Sequence, residues 1–137
     1  TNNEIVSGLI LDPIKNEMFY AEKNNGAFFN NQRIRVSKKR NLDQCLFATG
    51  GKSEFKSKLN TRRSGSAALD MAYVGAGRYD GHFQKNLKIW DVAAGVIIIK
   101  EAGGKVNEID SSNSKDLNII AGSNSIYDKM LETLGNF

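Results

Sequence analysis

The sequence predicts a layered α/β fold in which an antiparallel β-meander is followed by a mixed sheet with helices. Three observations carry that prediction. The first forty residues hold short apolar runs separated by turn-forming clusters, the signature of adjacent antiparallel strands. From Gln44 onward, strand-like runs alternate with segments whose apolar residues recur at spacings of three and four. The chain has 137 residues, 40% hydrophobic and 25% charged, a globular balance sufficient for one packed unit. The pattern divides it into a meander over residues 1–40 and an α/β region over 41–137.

Each element follows from its residues. Ile5 to Leu11 is an apolar strand, and Asp12-Pro13-Ile14-Lys15-Asn16 supplies its turn. Glu17 to Glu22 is the return strand. Asn24-Asn25-Gly26 turns the chain into Ala27-Phe28-Phe29, and Asn30-Asn31 leads to Arg33 to Val36, where Ile34 and Val36 alternate with charge. Gln44 to Thr49 reads as a buried strand ending at Gly50-Gly51. A helix is predicted from Ser66 to about Gly77, because Ala68, Leu69, Ala72, Tyr73 and Ala76 form one apolar stripe. Tyr79 to Phe83 reads as a short strand. A second helix runs from about Asp91 to Ala102 and stops at Gly103-Gly104, a C-terminal capping signal. Lys105 to Ile109 and Leu117 to Ala121 read as strands around a polar loop, and a last helix covers Ser125 to Leu134.

Composition excludes several functions. The longest apolar run, Val92 to Ile99 broken by Gly95, is far short of the ~20 residues that span a bilayer. Cys45 is the only cysteine and His82 the only histidine, which rules out an internal disulfide and a Cys/His zinc site. A reducing, cytoplasmic setting is expected. No basic-then-apolar leader opens the chain. It begins at Thr1 without an initiator methionine, so a piece of a longer protein is expected. The net charge is +4, and between Lys38 and Arg63 eight basic residues (Lys38, Lys39, Arg40, Lys52, Lys56, Lys58, Arg62, Arg63) face two acidic ones, Asp43 and Glu54. Such a segment is either a solvated surface loop or a contact for phosphate or nucleic acid. It lacks the interleaved aromatics of a single-strand platform.

Three places bear on chemistry. In Arg62-Arg63-Ser64-Gly65-Ser66-Ala67-Ala68, small residues sit where a helix begins. Free N–H groups there either hold a hydroxyl or phosphate oxygen or simply accompany an N-cap. In Lys88-Ile89-Trp90-Asp91-Val92-Ala93-Ala94-Gly95, Asp91 leads an apolar helix. It is either a plain N-cap or a ligand for a hard divalent cation. Asp12-Pro13-Ile14 has the beginning of an Asp-Pro-Ile-Asp-Gly-Thr metal motif, but Lys15-Asn16-Glu17 follows, so it reads as a β-turn.

Taken together, Arg62 to Asp70, Ala76-Gly77-Arg78-Tyr79-Asp80-Gly81, Trp90 to Gly95 and Glu101-Ala102-Gly103-Gly104 resemble the inositol monophosphatase family, in that family's order. The wording is most similar to its bacterial extragenic-suppressor branch. Asp12 to Phe19 and Gly26-Ala27-Phe28 also resemble the region after the family's first metal motif. The resemblance covers essentially the whole chain and corresponds to roughly the C-terminal half of a family member, with residues 1–40 belonging to the N-terminal sheet region of the parent fold. It implies a Mg2+-dependent phosphomonoesterase built as an alternating α/β sandwich, usually a homodimer, acting on inositol monophosphate or a similar polyol phosphate. It further implies that Asp91 is a metal ligand, that Gly65, Ser66 and Ala67 contact substrate hydroxyls, and that Gln84 stands where many members carry a substrate-binding glutamate. With one matching metal ligand, the chain alone is expected to be inactive. A bisphosphate nucleotidase or fructose-1,6-bisphosphatase relative is the alternative enzyme. A non-catalytic module contacting RNA or RNA polymerase through the basic segment is the other alternative.

Overall fold

The computed structural model describes residues 4–50, 59–109 and 116–135. Four strands, β1 (Ser7–Asp12), β2 (Glu17–Glu22), β3 (Gly26–Phe29) and β4 (Gln32–Arg33), form an antiparallel sheet in sequential order. The turns are those their residues dictate. Asp12 Oδ1 accepts from Ile14 N at 3.1 Å and Lys15 N at 3.3 Å, an Asx turn that confirms the turn reading of Asp-Pro-Ile. Asn30 and Asn31 both adopt positive φ, which a tight hairpin requires and asparagine tolerates. The final strand is shorter than the sequence predicts. Past Arg33 only Ile34 N still bonds to the sheet, at Ala27 O, and Val36 N donates instead to Ala102 O.

The second sheet has the order β6-β5-β7-β9-β8, from β5 (Phe47–Ala48), β6 (Thr61–Arg62), β7 (Gly81–Leu87), β8 (Lys105–Val106) and β9 (Leu117–Gly122). The strand predicted over Gln44 to Thr49 shrinks to Phe47–Ala48, preceded by a 3-10 turn over Leu42–Gln44. β6 and β7 lie parallel to β5, whereas β9 runs antiparallel to both β7 and β8. β8 stops at Val106, short of the predicted Ile109. Three helices complete the fold: α1 (Ala67–Gly75), α2 (Ile89–Glu101) and α3 (Tyr127–Leu134). α1 begins where predicted, with Ser66 Oγ accepting from Leu69 N at 3.2 Å as its N-cap.

The layers alternate as meander, α1 with α2, mixed sheet, and α3, with a core cluster between each pair. Ile10, Phe19, Ala72, Tyr73 and Ile98 fill the space between the meander and the helices. Met71, Val74, Val92, Val96, Ile99 and Ile119 fill that between the helices and the mixed sheet. Phe47, Phe83, Ile126 and Met130 lie between that sheet and α3. α1 is therefore buried on two faces, and the stripe predicted from sequence is only the one facing the meander. Arg78, just past α1, ties the two together. Its guanidinium makes a two-pronged bond to Glu17 at 2.9 and 2.6 Å and lies 4.9 Å from the ring centroids of Phe29 and Tyr73. A planar fork over aromatic faces is a geometry lysine cannot reproduce.

Candidate functional site

Two close approaches set the direction of α2 against α1. A Cβ on Gly95 would lie 2.6 Å from Met71 Cβ, and one on Gly75 would lie 2.7 Å from Ile98 Cγ2. Position 71 thus meets 95, and 75 meets 98, so the helices run parallel and start at the same end. That end is also where the parallel strands finish. β5 runs out into Thr49-Gly50, β6 into Arg63-Ser64-Gly65-Ser66, and β7 through Lys88 into α2. The crevice beyond the carboxyl ends of parallel strands is where open α/β sheets bind ligands.

Sequence-predicted residues gather there. Ser64 and Gly65 are exposed, whereas Ser66 and Ala67 are half-buried at the start of α1. Gly65 has φ +87°, a left-handed conformation that favours glycine, and no described residue stands within 4 Å of where its Cβ would be. Asp91 differs from the expectation. It is the third residue of α2, not its N-cap, because the helix starts two residues earlier at Ile89 with Lys88 as cap. Its Oδ2 accepts from Lys88 N at 2.9 Å, while its own N–H donates to Lys88 O at 2.9 Å. The carboxylate thus sits in the first turn, facing the positive end of the helix dipole. Trp90 beside it is 73% exposed.

Gln84 falls on β7, which extends four residues beyond the predicted Phe83. Polar Gln84-Lys85-Asn86 hid this stretch, and Asn86 at φ 63° marks a register shift between Gln84 and Leu87. Gln84 Oε1 is buried without a hydrogen-bond partner among the described residues. A Cβ on Gly50 would come within 2.9 Å of it, so glycine there leaves the acceptor room without a shift of the Gln84 side chain. A buried, unpaired carbonyl beside a residue with no side chain is poised for a donor such as a ligand hydroxyl.

Sequence reasoning missed a second layer beneath these residues. Asp70 on α1 and His82 on β7 are both buried, with Asp70 Oδ2 3.7 Å from His82 Nδ1. Ser64 Oγ donates to Asp70 Oδ1. Burial raises the Asp70 carboxyl to about 6, against the lowering pull of Ser64. Burial lowers His82 to about 4, with a weaker opposing push from the Ala48 backbone. The signal was available: Asp70 shares a helix face with Ala67, Met71 and Val74, where a polar residue stands out.

The two shifts have opposite consequences for stability. Asp70, with its folded value raised, contributes stability that is fully present below 3.8 and lost as pH rises through about 6. His82, with its folded value lowered, contributes stability that is present above 6.5 and lost as pH falls through about 4. Between these limits the folded protein takes a proton on Asp70 while the unfolded chain takes one on His82, so the pair nearly cancels. Relative to the parent, His82→Phe is expected to gain stability on acidification from pH 6.5 to 4, and Asp70→Asn to lose it. Urea midpoints across that range check this, and parallel pH profiles for all three proteins would refute it.

Cys45 is buried and its thiol is raised to about 11, chiefly by burial, which makes it a packing residue and not a nucleophile. In the basic segment, Lys52, Lys56, Lys58 and Glu54 lie outside the described residues. Lys39 pairs with buried Asp80 at 3.5 Å. Among the described residues no three His, Cys, Asp or Glu side chains cluster as a metal site, and no helix is long and apolar enough to cross a membrane. One carboxylate, Asp91, does not meet the near-octahedral oxygen demand of Mg2+, so these residues alone do not fit that ion.

Comparison with known proteins decides the family, because the inositol monophosphatase family matches residues 1–136. The chain belongs to the inositol monophosphatase family. It is 41% identical to the fructose-1,6-bisphosphatase/inositol-1-monophosphatase of Thermotoga maritima, over 97% of this chain and 56% of that protein. It is 38% identical to the Nus factor SuhB of Haemophilus influenzae, over 96% of this chain and 56% of that protein. The solved inositol monophosphatase of Thermotoga maritima superposes with a TM-score of 0.87 at 40% identity, covering 97% of this chain and 57% of that one. The chain thus spans little more than half the length of these relatives, and the alternating sheet-and-helix layers are those of the family.

Proposed function

We propose that the protein from which this family segment comes is a Mg2+-dependent phosphomonoesterase acting on inositol monophosphate or a similar polyol phosphate. The observation that carries this reading is the gathering, at one end of the mixed sheet, of the Gly65-Ser66-Ala67 helix start, the Asp91 carboxylate and the unpaired Gln84 Oε1. The amides at the head of α1 suit the oxygens of a polyol or phosphate, and the Gln84 carbonyl suits a hydroxyl donor. An amide there in place of a carboxylate keeps the acceptor but removes a charge, which favours a neutral hydroxyl over a cationic group. Asp91 contributes one oxygen ligand for Mg2+, and the remaining ligands come from outside the 137 residues.

The 137-residue chain is accordingly expected to release phosphate from inositol monophosphate in Mg2+ no faster than background, while the longer protein turns the substrate over. Phosphate-release assays on both, with fructose 1,6-bisphosphate and a nucleoside 3′,5′-bisphosphate alongside, make the comparison. Full turnover by the short chain would overturn the assignment of metal ligands. Preference for either bisphosphate would replace the polyol monophosphate as substrate.

The reading includes self-association of the short chain. Leu9 and Leu11 are 57% and 58% exposed on the outer face of β1, in register with Tyr20 and Met18 of β2. Phe28 of β3 extends that face, and β1 is an open edge. At roughly 25 cal/mol per Å2, a few hundred Å2 of such surface is worth several kcal/mol when covered. A second copy covers it by face or edge pairing. Light scattering at micromolar concentration is expected to show a mass above that of the monomer, reduced by Leu9→Lys. A monodisperse 15.1 kDa species would refute it.

A further inference from the structure

We propose that Asp70, backed by His82, is a positioning residue that holds Ser64, and through it the Gly65-Ser66 backbone, in the conformation that meets the polyol phosphate. The proposal rests on the reading that Gly65-Ser66 contacts substrate.

The chain of contacts runs from the surface inward. Ser66 N donates to Ser64 Oγ at 3.2 Å, and Ser64 Oγ donates to Asp70 Oδ1. Asp70 N in turn donates to Ser66 O at 2.9 Å. An exposed segment with a left-handed glycine at its centre is thereby fastened to a carboxylate buried in the first turn of α1. Glycine gives the segment its shape and also the freedom to lose it, so a tether is needed for the shape to persist. A hydrogen bond to a carboxylate is about twice as strong as one between neutral groups.

Packing gives no reason for a carboxylate at position 70. The position shares a face with Met71 and Val74, where an apolar side chain would avoid the penalty of burying a charge. His82 is fully buried on β7, and among the described residues its ring nitrogens have only the Ala48 backbone nearby, outside hydrogen-bond geometry. At 3.7 Å it is too far to capture Oδ2 in a hydrogen bond. Among the described residues, the Asp70 side chain directs its one side-chain hydrogen bond upward to Ser64, with a polar ring behind it. Two polar groups in a core, whose one side-chain bond among the described residues is aimed at the surface loop, are accounted for by a role in that loop.

The test uses the longer protein and four variants: Ser64→Ala, Asp70→Ala, Ser64→Thr and the Ser64→Ala/Asp70→Ala double. Hydrogen exchange at the Gly65 and Ser66 amides without substrate reads the tether alone. It is expected to accelerate in Ser64→Ala and Asp70→Ala, neither of which can form the bond, and to return in Ser64→Thr, which keeps the hydroxyl. KM for inositol monophosphate is expected to rise about tenfold in both single variants, as for loss of one charge-assisted hydrogen bond, with kcat changed less than about threefold. The double variant is expected to be no worse than either single, because both remove the same contact. Unchanged amide exchange, or KM effects that multiply in the double variant, would overturn the proposal. Faster exchange with unchanged KM would overturn the positioning role while leaving the tether intact. A longer protein that hydrolyses no polyol phosphate would show instead that the functional reading had failed, with the exchange result still standing on its own.

Discussion

Asp91→Asn in the longer protein is expected to lower phosphatase activity by at least ~10²-fold at saturating Mg2+, with little loss of stability. The separation of the two effects follows from where the carboxylate sits. As the third residue of α2, it accepts from Lys88 N at 2.9 Å, and an asparagine carbonyl can accept the same bond. What the substitution removes is one negative charge at a helix N-terminus, worth about 0.3–1 kcal/mol to the helix. A hard divalent cation, by contrast, depends on anionic oxygen, and a neutral amide is a poor replacement. Parallel measurement of phosphate release and urea unfolding decides the matter. If activity survives while the unfolding midpoint falls sharply, Asp91 is a helix-capping residue and nothing more.

The contrast between Asp91 and Asp70 shows what the sequence could and could not disclose. Asp91 is conspicuous because it follows Trp90 at the head of a long apolar run, and its residue type at a helix start already suggests both a cap and a ligand. Only the structure shows that the helix begins at Ile89 and that the carboxylate reaches back to Lys88. The meander was legible because its turns are written in Asp-Pro and Asn-Gly chemistry, which acts over two or three residues. β6 was not, because Thr61-Arg62 has neither apolar alternation nor length, and exists only because β5 accepts it as a neighbour. The second half of β7 was hidden for the same reason: its polar residues are held by pairing with β9, a contact across more than thirty residues. Likewise, the stripe Ala68, Leu69, Ala72, Tyr73 and Ala76 was legible as one helical face, which the structure packs on the meander. The opposite face, with Asp70 in it, becomes visible only once a second sheet is known to cover it. Local chemistry was readable, and pairing partners distant in sequence were not.

That second face depends on how closely α1 and α2 approach, and Gly95→Val is expected to destabilise the fold by about 3 kcal/mol or more. A Cβ at 95 would stand 2.6 Å from Met71 Cβ and 2.9 Å from Met71 Sδ. Sulfur at the end of a flexible side chain could swing aside, but a Cβ is fixed to its backbone, so the helices themselves would have to part. Neither can do so freely. On its other side α2 meets β1, where a Cβ on Gly8 would stand 2.6 Å from Ala94 Cα, and α1 is packed on the mixed sheet through Met71 and Val74. Glycine within a helix costs roughly 1 kcal/mol relative to alanine, a penalty the close approach offsets by letting Met71, Val92 and Val96 pack in one cluster. The same approach aligns the starts of α1 and α2, so forcing them apart would also separate Ser66 from Asp91. The variant should therefore lose both urea resistance and, in the longer protein, activity, even though position 95 lies a full turn past Asp91 and on a different helix from the one Ser66 caps. Gly65→Ala is the stability control: no described residue stands within 4 Å of its Cβ position, so any loss of urea resistance there reflects only its φ of +87° and should be smaller. An unfolding midpoint for Gly95→Val within error of the parent would mean that the helices are not held at this spacing, and that their common starting end is not what brings the site together.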